Sequence, residues 1–117
     1  MTHNGKPVEI RYQEFPQELQ GEITGLVTAK YPGKYIILID STRHPITQRQ
    51  TLGHELAHIF LNHLDQHDRP IKEQEQEAGR ATWYYYREYK AGRLGTGETL
   101  PEDTAARAEG GGNRQAV

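Results

Sequence analysis

Tyr35-Ile36-Ile37-Leu38-Ile39-Asp40-Ser41-Thr42-Arg43-His44-Pro45-Ile46 passes from an unbroken apolar run straight into a helix start. An apolar run of that length fits a buried strand. It is far short of the about 20 residues that a bilayer-crossing helix needs. Proline suits the first turn of a helix, because its missing N–H would be unpaired there in any case. Apolar residues then recur at helical spacing from Ile46 to Leu64.

Working outward toward the N-terminus, Val8-Glu9-Ile10-Arg11-Tyr12 alternates apolar and polar residues, the strand period, and Pro16 ends that element. Ile23 to Tyr31 is strand-like through Leu26, Val27 and Thr28. Tyr31-Pro32-Gly33-Lys34 is a turn, with proline fixing φ and glycine free to take positive φ. The two runs on either side of it are expected to pair as an antiparallel hairpin. Toward the C-terminus, Asp68-Arg69-Pro70 opens a second helix that runs to about Ala91, where Gly92 stops it. The predicted fold is α+β: a small antiparallel sheet of about three strands followed by two packed helices.

The chain has 117 residues, no cysteine, and 14 basic against 16 acidic side chains for a net charge of −2. Thiolate metal sites and disulfides are excluded. The charge gives no reason to expect a nucleic-acid surface. Residues 1–6 carry no apolar stretch, so they are expected to be disordered and not a signal peptide. Gly110-Gly111-Gly112 and an acidic excess mark 93–117 as a disordered tail. The folded domain is then 7–92, with no membrane segment and a cytoplasmic setting expected.

His54-Glu55-Leu56-Ala57-His58 lies within the first helix. Histidines four apart stand one turn apart on one face, so both imidazoles can reach one zinc ion. The glutamate between them is placed to take a proton from water. With Leu52 at zero and about 100° per residue, Leu56 falls at about 40° and Ile59 at about −20°, an apolar stripe for the sheet. His54 falls at about 200° and His58 at about 240°, on the opposite side, where the second helix can cover them. On that second helix Glu75 shares a face with Ala78, Gly79 and Thr82, small residues that let a neighbour come close. Glu77 falls about 200° and Glu73 about 160° from Glu75, so both are expected to face solvent. The predicted zinc ligands are therefore His54, His58 and Glu75, with Glu55 as the catalytic base. Two histidines and one glutamate form an open, catalytic donor set.

The segment Thr51 to His63, with its His54-Glu55-Leu56-Ala57-His58 core, resembles the active-site helix of the ImmA/IrrE metallopeptidases. The strand and turn from Ile23 to Asp40 resemble the hairpin before that helix. Glu75-Gln76-Glu77-Ala78 resembles the family's glutamate-x-x-alanine signature, whose first glutamate binds zinc. The position after Ala78, usually Asn or Asp in the family, is Gly79 here. The resemblance implies a zinc endopeptidase of minimal single-domain form. Its substrate would be a regulatory protein, such as a helix-turn-helix repressor of a phage or mobile element. The alternative is a zinc-stabilised module that binds such a regulator without cutting it.

The remaining histidines are read as structural. His63 falls on the sheet side of the helix and His44 at its start, while His3 lies in the loose terminus. Trp83, Tyr84, Tyr85, Tyr86 and Tyr89 are expected to be mostly core, with one tyrosine open to a role in stabilising an oxyanion.

Overall fold

The computed structural model describes residues 1–95. The strands are β1 (Thr2–His3), β2 (Lys6–Gln13), β3 (Gly25–Thr28) and β4 (Tyr35–Asp40). They are followed by α1 (Pro45–Phe60), a short 3-10 turn (His63–Asp65) and α2 (Ile71–Lys90). The fold is α+β, as expected.

The sheet differs from expectation in strand number and in pairing. It has four strands in the order β1-β2-β4-β3, and it is mixed rather than antiparallel. β3 and β4 form the expected antiparallel hairpin, with Leu26 opposite Leu38 and Val27 opposite Ile37. β2 lies on the other side of β4 and runs parallel to it, from Val8 opposite Tyr35 to Gln13 opposite Asp40. The chain reverses into β3 and reverses again into β4, which restores the direction of β2. The most apolar strand thereby gains a partner on both edges, as a run without alternation requires.

Tyr35, Ile37 and Ile39 of β4 pack on Leu52, Leu56 and Ile59 of α1, the stripe that helical spacing placed there. Burying one such aliphatic side chain contributes roughly 1.5–3 kcal/mol. At the end of β4, Asp40 is wholly buried. Its carboxylate accepts from Thr42 N–H at 3.0 Å, Thr42 Oγ1 at 2.7 Å and Arg43 Nε at 3.1 Å. These bonds turn the chain from strand to helix. The N-cap of α1 is His44, whose Nδ1 accepts from Ile46 N–H at 3.1 Å.

The first residues take part in the sheet. Asn4 (φ 54°) and Gly5 (φ 75°) form a two-residue turn with both φ values positive, which suits Asn-Gly and closes a hairpin between β1 and β2. Met1 packs against the core. The His3 ring meets Phe60 edge-on at 4.6 Å, and its Nε2 lies 2.7 Å from Asn62 Oδ1.

α2 ends where Gly92 takes φ 72°, with Gly92 N–H donating to Tyr89 O and Arg93 N–H to Glu88 O. The next residues are also held. Leu94 packs against the core, Arg93 pairs with Glu88, and Gly95 O accepts from Thr2 N–H. The tail expected over 93–117 otherwise lies outside the described residues.

The aromatic run divides. Tyr85, Tyr86 and Tyr89 pack against the core, whereas Trp83 and Tyr84 are exposed.

Candidate metal centre

α1 and α2 cross at a glycine. A Cβ on Gly53 would run into the backbone carbonyl of Thr82, so only glycine permits this approach. The Thr82 hydroxyl bonds back to Ala78 O at 2.9 Å instead of competing for the interface. Gly79, by contrast, has nothing within 4 Å of a Cβ and faces open space. The close approach expected on the small-residue face of α2 is thus made by Thr82 against Gly53, the residue just before His54.

That crossing brings His54, His58 and Glu75 together. His54 Nε2 lies 2.9 Å from Glu75 Oε1, His58 Nε2 lies 3.0 Å from Glu75 Oε2, and the two Nε2 atoms are 3.2 Å apart. One donor atom from each residue lies within 4.8 Å of the others. A tetrahedral zinc ion with bonds of about 2.0–2.1 Å needs donor atoms about 3.3 Å apart. The spacing and the two-nitrogen, one-carboxylate chemistry therefore fit zinc. The Glu75 side chain is 54 % exposed, which leaves the cluster open on one side.

Burial pushes His58 below the ordinary imidazole value, against the opposing pull of Glu75, and so favours the neutral form that can ligate. Glu55 is buried, with no hydrogen-bond partner among the described residues. Burial, and secondarily the charge of Glu75, raises its carboxyl to about 7. A buried carboxyl without a partner is costly in a structural role and suits a group kept for proton transfer.

Two expectations are corrected here. Glu77 does not point to solvent. Its Oε1 lies 2.7 Å from His63 Nε2 and 2.7 Å from Arg69 Nη1. The buried face of α2 is centred on Ala78, with Glu75 and Glu77 on its opposite borders. Because Ala78 and not Glu75 is the centre, Glu77 lies on the near side of the helix. Burial raises the Glu77 carboxyl, but the bonds from His63 and Arg69 outweigh it and leave it below the ordinary value.

His63 does not lie on the sheet side either. α1 stops at Phe60, and Asn62 takes a left-handed conformation with φ 60°. That break swings His63 back, so that its Nδ1 sits 2.9 Å from His58 Nδ1. Asparagine is among the residues that tolerate this conformation, so Asn62 was the available signal.

Residues 7–114 match the family model Peptidase_M78, described as the IrrE N-terminal-like domain. No curated protein and no solved structure matches the chain. Among the described residues, no helix is long and apolar enough to cross a membrane.

Proposed function

The chain belongs to the IrrE N-terminal-like family of peptidases, and from that premise we propose that it is a zinc-dependent endopeptidase. His54, His58 and Glu75 hold the metal, and Glu55 serves as general base. The convergence of the three side chains across the α1–α2 crossing carries this reading.

Zinc bound there would supply Lewis acidity toward water and the scissile carbonyl. The rest is done by the chain itself. Gly53 sets the helix separation, and with it the distance from His54 and His58 to Glu75. Burial keeps Glu55 a stronger base than an exposed carboxylate, able to take the proton of the attacking water and pass it to the leaving amine. The open side at Glu75 admits an extended peptide.

The proposed substrate is a regulatory protein carrying a helix-turn-helix, in the cytoplasm and in a phage or mobile-element setting. The family resemblance of the motif segments supports this choice.

The test is co-expression of the chain with a helix-turn-helix regulator encoded beside it, followed by fragment analysis. Wild type should cleave the regulator and Glu55→Gln should bind it intact. General-base loss costs about 10²–10⁴-fold in rate. If both forms bind the regulator and neither cuts it under any inducing condition, the protein is a zinc-stabilised binding module instead.

A further inference from the structure

A line of polar contacts runs behind the His54–His58–Glu75 cluster, from Arg69 through Glu77 and His63 to His58. Arg69 Nη1 lies 2.7 Å from Glu77 Oε1, and His63 Nε2 lies 2.7 Å from the same oxygen. A guanidinium always donates, and a carboxylate held by one accepts. His63 must therefore donate from Nε2.

A neutral imidazole protonated at Nε2 has a bare Nδ1. His63 Nδ1 stands 2.9 Å from His58 Nδ1, so at that contact His58 supplies the proton. With its proton on Nδ1, His58 carries its lone pair on Nε2. That is the atom 3.2 Å from His54 Nε2 and 3.0 Å from Glu75 Oε2. The His63 side chain is only 2 % exposed, so water does not compete for these bonds.

We propose that His63 and Glu77 are positioning residues that fix the ring orientation and tautomer of His58, so that its Nε2 is offered to a metal ion. The pair touches neither substrate nor metal. It acts through His58, and its role toward zinc rests on the reading of His54, His58 and Glu75 as ligands. Partners of this kind behind a ligand histidine typically contribute about 10–100-fold in metal affinity.

The test uses the 117-residue chain with nitrogen-15-labelled histidine at a pH near 8. Proton–nitrogen correlation spectra of the metal-free protein should show His58 protonated on Nδ1 and His63 on Nε2. His63→Phe keeps a ring but removes the acceptor. It should leave the His58 tautomer unfixed and weaken zinc binding about 10–100-fold. His63→Asn can place its side-chain oxygen where Nδ1 stood, so it should restore the Nδ1 proton and most of the affinity. A packing role alone would rank Phe above Asn.

Should His63→Phe fail to fold, Glu77→Leu carries the same test at a less buried position. It should weaken zinc binding and release the His63 tautomer. The proposal is overturned if wild-type His58 carries its proton on Nε2, or if the folded acceptor-free variants bind zinc as tightly as wild type. If wild type shows the expected proton order but takes no zinc, the zinc reading fails while the proton order stands.

Discussion

Gly53 and Thr82 meet where α1 crosses α2, with no room for a methyl group between the glycine and the threonine carbonyl. Gly53→Ala should force the helices apart. Overpacking of this kind costs typically about 1–3 kcal/mol, and in a domain of this size about 4–8 °C of melting temperature per kcal/mol. The matched control is Gly79→Ala on the open face of α2. It removes a helix-interior glycine and should stabilise by roughly 0.5–1 kcal/mol. Thermal melts of the two variants should shift in opposite directions. A shift in the same direction would mean that the crossing is not at Gly53.

Zinc binding should sort the glutamates. Glu75→Ala removes a ligand and should cost more affinity than any change behind the site, whereas Glu55→Gln should leave affinity within a few-fold of wild type. Metal should also stabilise the fold by mass action, about 2.7 kcal/mol at a hundredfold excess over Kd. Calorimetric titration gives the affinities, and melts with zinc or with chelator give the stabilisation. A melting temperature indifferent to both additions would count against the site.

Asp40 should make the fold acid-sensitive. The Thr42 hydroxyl bond, with help from the Thr42 backbone and Arg43, holds its carboxyl below the usual value despite burial. A group with a lowered folded pKa stabilises above its unfolded value near pH 4, and that stability drains away as pH falls through the folded value. Asp40→Asn should therefore melt lower than wild type at neutral pH, and the gap should close toward pH 2. A gap constant across that range would assign the loss to shape rather than charge.

The Asn4-Gly5 turn should matter although β1 is only two residues long. Gly5→Val places a β-branched residue at φ 75°. The left-handed region costs non-glycine residues roughly 1–2 kcal/mol. The variant should lose protection of β1 and of His3 in hydrogen exchange before the rest of the sheet. Unchanged exchange at Thr2 and His3 would show that the turn does not hold β1.

Much of this fold can be read from spacing alone. β4 follows from its unbroken apolar run, and the face of α1 toward the sheet follows from Leu52, Leu56 and Ile59. The meeting of His54, His58 and Glu75 follows from helical period and the small residues near Glu75. The parallel pairing of β2 with β4 is not legible in that way. It joins segments far apart in sequence, and no local pattern of residues encodes it. Asn4-Gly5 was a visible hairpin signal, masked by the shortness of the arm before it. Glu77 departs from expectation because Ala78, not Glu75, centres the buried face of α2, and His63 because α1 breaks before the left-handed Asn62. In both cases one backbone or packing detail decides which way a long side chain turns.

The two open edges of the sheet differ in how they resist a second chain. β1 covers only the first residues of β2, Pro7 and Lys6. The rest of that edge carries Glu9, tied to Arg11 and Lys34, and a charged edge discourages another strand from docking. β3 at the far edge carries no charged residue along Gly25–Thr28, but it is four residues long. A stretch that brief is a poor template for fibrillar stacking, which draws on segments of about six or seven residues. Charge guards the long edge and brevity the neutral one, so an open mixed sheet carries little aggregation liability.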